Sequence, residues 1–398
     1  MSEVKSLLSS GKKVYLVNGR RTPFGQFGGS LKDITPVDLA VHAAKKLLAD
    51  IKINPDQIDQ VILGNVCPSS TDTLYGARHL ALKIDAPETT PGVVVNRLCG
   101  SGIESILDAV RLIKLGEAEC ILAGGVENMS MVPHLTYGGR FGTKYGALKN
   151  VDMLLDALTD KFSKSPMGIT AENLARDYDI SREECERFSV QSHNRLLRAY
   201  NDKVIQGEMA PIILKRGECS KDEHMREDIN LGALAKLRPS FVEDGVVTPA
   251  TASGIVDGAA ITIVASEDFC KENNLTPLAE IVDGQVVGVD PTRMGIGPVP
   301  AINSLLKRNK MTLNEIDLIE INEAFAAQTL ACIKELKWSE EKLNIWGGAI
   351  AMGHPLGASG TRISLTLARQ LRHFGKDFGI ASACIGGGQG IALLLRRA

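Results

Sequence analysis

The chain has 398 residues, 44% hydrophobic and 23% charged, with a formal net charge of −2. That length and apolar content are enough for two or three domains with large cores. The near-neutral balance argues against a phosphate-tracking nucleic-acid binder, so an anionic ligand has to be met by a local basic patch. No apolar run approaches the ~18–20 residues that cross a bilayer, which predicts a soluble protein. The leading stretch MSEVKSLLSSGKKVYLV has no apolar core followed by a small-residue cleavage site, and reads as a short basic lead-in to a strand. The eight cysteines, at 67, 99, 120, 185, 219, 270, 332 and 384, show no CxxC spacing. Neither a metal site nor a disulfide framework is expected, and a reducing compartment fits.

In chain order, residues 13–17 read as a strand and 36–50 as an amphipathic helix with Val37, Ala40, Ala44 and Leu47 on one face. Residues 60–64 and 92–96 are further strands. A helix follows over 102–115 with Gly116 as its stop, then a strand over 120–123. This alternation predicts an α/β half with a buried sheet, residues 1–125. Residues 126–254 change character: glycines and charged clusters surround two helices, 170–178 and 181–200, the second opened by the capping box Ser181–Glu184. Little here alternates like a strand, so the stretch reads as a lid-like insertion. Residues 255–398 return to α/β alternation, with strands at 259–265, 279–288, 317–321, 381–384 and 391–395 and helices after Pro300 and from Ala324. A weak internal repeat links the halves: CGSG at 99–102, then Gly116, a strand and Gly124-Gly125 parallels HPLGASG at 354–360, then Gly375, a strand and Gly386–Gly388.

Four motifs carry chemistry. In NRLCGSG (96–102) a strand enters a tight turn before a helix, which places Cys99 where orphan N–H groups and the helix dipole stabilise a thiolate. In GGAIAMGHPLGASG (347–360) glycines crowd one histidine, and His354 is the expected activator of a thiol. In SACIGGGQG (382–390) the glycines either cradle a phosphate or present N–H groups to a reacting oxygen, with Cys384 as an acid/base thiol beside them. In EINEAFA (320–326), Asn322 and Glu323 taken alone read as a helix N-terminus.

Taken together, these motifs resemble the thiolase family along nearly the whole chain. Arg21-Thr-Pro-Phe-Gly25, Gly64-Asn65 and GGVENMS (124–130) match as well. MGITAENLARDYDISREEC (167–185), RFGTK (140–144) and MGIGPVPAI (294–302) are most similar to degradative 3-ketoacyl-CoA thiolases of the mitochondrial type. The resemblance implies two similar α/β halves in a five-layered αβαβα sandwich with an inserted loop domain, assembled as a homodimer or a homotetramer.

It also implies thiolytic cleavage of 3-ketoacyl-CoA to acetyl-CoA and a shortened acyl-CoA. Coenzyme A is then a substrate, with no metal and no tightly bound cofactor. Short-chain acetyl-CoA acetyltransfer and non-catalytic acyl-CoA binding are the alternatives. Cys99 would be the nucleophile and His354 its activator. Asn322 would hold a water at the enolate oxygen. Cys384 would be the acid/base, and the N–H groups of Cys99 and Gly386 the second oxyanion hole. An unperturbed thiol near ~8.5 is close enough to neutral to be tuned for such a role. Ser253, Arg226, Met167, Phe241 and Phe325 match the family's CoA and tunnel positions. Two departures stand out. The family's TAGNASG is here TPATASG (248–254), and Pro166 replaces the histidine that biosynthetic members carry before the Met-Gly pair. A bacterial cytoplasm is the expected compartment, with the mitochondrial matrix as the alternative.

Overall fold

The computed structural model describes residues 11–215 and 217–398; the leading segment 1–10 read above lies outside them. The first half contains β1 (Val14–Arg21), α1 (Pro36–Ile51), β2 (Gln60–Gly64), α2 (Gly76–Lys83), β3 (Gly92–Val95), α3 (Ser101–Leu115) and β4 (Cys120–Asn128). The stretch after it holds α4 (Met167–Asp177) and α5 (Arg182–Asn201). Then come β5 (Val256–Ser266), β6 (Ala279–Gly288), α6 (Pro298–Arg308), β7 (Leu318–Ile321), α7 (Ala326–Leu336), α8 (Leu356–Phe374), β8 (Phe378–Ile385) and β9 (Gln389–Arg397). Local signals set many boundaries. Thr35 caps α1 with Pro36 behind it. Ser181 and Glu184 complete both bonds of their capping box. Gly116 and Gly375 end α3 and α8 at φ 78° and 62°.

The strands run in the order β7-β8-β9-β6-β1-β5-β4-β2-β3. Among the described residues its two halves pair at β1–β6, through Tyr15–Glu280 and Leu16–Ala279. Helices α1 and α2 cover the outer face of the first half. Helices α6 and α7 cover that of the second. Helices α3 and α8 lie between, within the shared core of Ile103, Ile106, Val110, Ile363, Leu365, Leu393 and their neighbours. The layers are thus αβαβα, as the resemblance implied. One strand sits differently from its place in the sequence reading. Val256–Ser266, grouped there with the C-terminal segment, bonds antiparallel between β1 and β4 and so belongs to the first half's ladder. Among the described residues the insertion also holds three ladders of two or three residues per strand, such as His134–Thr136 with Asn150–Asp152. They are too short to show alternation in sequence. Helices α4 and α5 pack on α7.

The repeat glycines have a physical reason. A Cβ on Gly360 would lie 2.5 Å from the backbone nitrogen of Ile103, and one on Gly102 would strike that of Thr361. Helices α3 and α8 therefore cross backbone to backbone, which only glycine permits. Fifteen of the nineteen residues of α8 are buried, many of them Gly, Ala, Ser or Thr. Gly360→Ala is expected to lower stability by about 1–3 kcal/mol or more. A Cβ on Gly11 meets nothing within 4 Å, so Gly11→Ala should leave stability unchanged. Denaturant midpoints of the two variants check this.

Candidate active site

Two loops at the N-termini of the central helices build the site. After β3, the side chain of Asn96 accepts the N–H of Leu98 at 3.0 Å, and Ser101 Oγ accepts from Arg97 N and donates to the Leu98 carbonyl. These bonds hold Leu98 at φ 46°, a left-handed conformation that a branched apolar residue adopts only under constraint. Cys99 follows in the tight turn Leu98–Gly100. Its half-buried sulfur receives N–H groups from its own backbone and from Gly386, in the turn between β8 and β9. Burial nevertheless pushes the Cys99 thiol up to about 11, with Glu127 adding to the rise and the two N–H groups opposing it. The stabilised thiolate expected from the sequence is therefore corrected: burial outweighs the N–H groups, and Cys99 rests as a thiol.

Cys384, near the end of β8, is fully buried and packs with Met294, Ala324, Met167 and Phe325. Burial, followed by the neighbouring Cys99 and Cys332, raises its thiol well above the ordinary range. Met167 also sits over Gly386, its sulfur 3.3 Å from where a Cβ would be. His354 is 6% exposed; its backbone N–H donates to Gly254 and its Nδ1 lies 2.5 Å from Ser359 Oγ. Burial and then Arg362 push the imidazole down to about 3, so it is neutral. Asn322 Nδ2 lies 3.2 Å from His354 Nε2, while its buried Oδ1 has no protein partner.

The structure thus brings Cys99, Gly386 and Cys384 together, and Asn322 against His354. Ser253 joins these groups through its backbone: its N–H donates to Ala324, while the adjacent Gly254 carbonyl holds the His354 loop. Phe325 bridges to Ala252. Phe241, 41% exposed, rests against Gly168 at the start of α4. Arg226 is not in this cluster. It lines an open pocket with His193, His224, Asn230 and Pro249, and its N–H donates to His193 Nδ1.

The sequence reading missed three residues. Fully buried Glu127 accepts from Cys67 N, Asn65 Nδ2, Val66 N and Gly357 N at 2.9–3.1 Å. It therefore ties the loop after β2 to the His354 loop. Burial pushes its carboxyl up to about 7 and these four donors pull it back. Glu323 does not cap the helix that follows it, since α7 begins only at Ala326; it accepts instead from the first turn of the short helix Ala349–Met352. It accepts from Ser192 Oγ, Asn344 Nδ2 and Ile350 N, fixing α5 to the segment before His354. Ser359 is the third. Glu127 lies in a motif matched by resemblance alone, and nothing local to it signals four distant donors.

The two halves, the crossed central helices and the paired thiols define a condensing or cleaving enzyme of the thiolase type, and the chain belongs to the thiolase family. Residues 14–268 match the family model described as thiolase, N-terminal domain, and 275–397 that of the C-terminal domain. The chain is 48% identical to human mitochondrial 3-ketoacyl-CoA thiolase, over 96% of this chain and 98% of the relative. It is 46% identical to a probable acetyl-CoA acyltransferase of Staphylococcus aureus (strain COL), over 97% and 99%. The crystal structure of the human enzyme in complex with CoA superposes with a TM-score of 0.96 at 48% identity, covering 98% of this chain and 99% of that one.

Two predictions follow from the geometry. Glu127→Gln turns an amide NH2 toward N–H donors, which is expected to cost about 1–3 kcal/mol of stability and to lower turnover as the His354 loop shifts. Unfolding midpoints and steady-state rates measure both. Between pH 6 and 9, alkylation of Cys99 by iodoacetamide should accelerate with pH, because below about 11 the thiol predominates and each rise in pH increases the thiolate fraction. A rate already flat near neutrality would mean a standing thiolate.

Proposed function

We propose that the protein is a degradative 3-ketoacyl-CoA thiolase, the activity named for its human relative. The observation that carries this reading is the buried pair of thiols, Cys99 and Cys384, around the Gly386 N–H, together with the buried, neutral imidazole of His354 held against Asn322. Cys99 attacks the 3-keto carbonyl after passing its proton to His354. The tetrahedral oxyanion is held by the N–H groups of Cys99 and Gly386. The Cα–Cβ bond breaks, leaving the acyl group as a Cys99 thioester and acetyl-CoA as its enolate. His354 and a water on Asn322 Oδ1 stabilise that enolate oxygen, and Cys384 protonates the carbon. The Cys384 thiolate then takes the proton of a second CoA, whose sulfur attacks the thioester; Cys99 leaves and recovers its proton from His354.

At rest the two thiols and the imidazole are neutral, which suits a site where burial disfavours standing charge. The 126–254 segment would cover CoA, with Ser253, Met167, Phe241 and Phe325 along the pantetheine and acyl tunnel and Arg226 near the phosphates. A CoA complex of the human relative supports that role for CoA. A homodimer or dimer of dimers is supported by the open edge of β3, where Val93 is 42% exposed. The bacterial cytoplasm, or alternatively the mitochondrial matrix, suits the eight free cysteines.

The test is CoA-dependent loss of 3-ketoacyl-CoA absorbance with acetoacetyl-CoA and a ~C8–C10 homologue. Faster cleavage of the longer substrate is expected. Cys99→Ala should abolish it, and His354→Ala should lower kcat about 10²–10⁴-fold. Cleavage of acetoacetyl-CoA alone would reassign the protein as a short-chain acetyltransferase. No cleavage of either would leave an acyl-CoA-binding protein.

A further inference from the structure

The turn that carries Cys99 and the turn that carries Gly386 are joined by one long side chain. Arg97, two residues before Cys99, donates from Nη1 to Gln389 Oε1 at 3.2 Å. Its Nε donates at 2.8 Å to Glu104 Oε2, in the first turn of α3. The other oxygen of Glu104 accepts from Arg111 Nη1 at 2.8 Å, so the carboxylate is held from both sides. The backbone N–H of Arg97 donates to Ser101 Oγ, which fixes its place in the turn. A guanidinium presents its donors in a rigid planar fork. With one edge set by Glu104, the direction of the other is set too, and Gln389 lies along it.

Gln389 opens β9 and faces Ile385, the last residue of β8, across the hairpin. Between these two legs stand Gly386, Gly387 and Gly388, the last two at φ 78° and 84°. Such a turn has no side chains with which to hold itself in place. The Cys99 turn meets both legs. On the β8 side, a Cβ on Gly100 would lie 2.6 Å from Ile385 Cδ1. On the β9 side, Arg97 binds Gln389.

We infer that Arg97 is a positioning residue that ties the Cys99 turn to the Gly386 turn and so sets the spacing of the two N–H groups that would hold the oxyanion. The inference rests on the proposed role of those N–H groups. Arg97 itself touches neither sulfur nor substrate in this scheme.

Gln389→Leu removes the acceptor without changing any charge. In that variant kcat for thiolysis should fall about 10–100-fold, with KM for acyl-CoA within about 2-fold. Arg97→Gln should lose as much, and the double variant no more, because the two residues share one interaction. Gln389→Glu, which keeps an acceptor for Arg97, should retain most of kcat. Alkylation of Cys99 by iodoacetamide at pH 8 reads the same registration without turnover. The Gly386 N–H favours the Cys99 thiolate, so its withdrawal in Gln389→Leu should slow the reaction about 3–10-fold. An unchanged alkylation rate in Gln389→Leu, an unchanged kcat where the parent performs thiolysis, or losses that multiply in the double variant each overturn the inference. A parent without thiolysis, whose alkylation is nonetheless slowed in Gln389→Leu, supports the tie and sinks the functional reading instead. Should Gln389→Leu fail to fold, Arg97→Gln and Gln389→Glu decide. Loss in the first with retention in the second is expected, and an Arg97→Gln protein that matches the parent in both readouts overturns the inference.

Discussion

The structure depends on the contact between α3 and α8 at Gly102 and Gly360, where two helix backbones touch with no side chain between them. Interiors are packed at crystal-like density, and such a contact has little freedom to slide. Cys99 lies one turn before Gly102 and His354 six residues before Gly360. Fixing the crossing therefore fixes both helix N-termini and the loops that lead into them. Glu127 adds a second tie, since its carboxylate joins the loop after β2 to Gly357 in the first turn of α8, just beyond His354. Among the described residues the two halves pair in the sheet at Tyr15–Glu280 and Leu16–Ala279, so the central helices and this carboxylate carry much of their registration.

Burial then sets the chemistry. Each reactive group is removed from water far enough to favour its neutral form: both thiols are raised and the imidazole is lowered. The resting site holds no standing thiolate–imidazolium charge, and charge develops only as a proton moves. Preorganised donors are most effective in such a medium, because they need no reorientation when charge appears. The N–H of Gly386 is already aimed at the Cys99 sulfur, and Asn322 Oδ1 is buried without a protein partner beside His354.

Much of this was legible in the sequence because it was local. Capping residues, stop glycines and apolar periodicity located the helices and most strands. The repeat glycines marked the two central helices before their contact was visible. What was not legible was distant. Strand β5 pairs with partners more than 100 residues away, and its order in the chain says nothing of which half it joins. The Leu98 conformation is imposed by its neighbours' hydrogen bonds, and Glu323 looks like a cap of the helix that follows it until its partners on α5 and in the first turn of Ala349–Met352 are seen. The resting state of Cys99 was misjudged because its turn and glycines are visible in sequence, whereas the depth of its burial is not.

The most direct test of the whole account is to mix the protein with a 3-ketoacyl-CoA in the absence of free CoA, quench it and map the adduct by peptide mass spectrometry. The account predicts a single acyl thioester on the Cys99 peptide, shorter than the substrate by two carbons and discharged when CoA is added. An adduct on Cys384 instead, or no adduct while acetyl-CoA is still released, would contradict it.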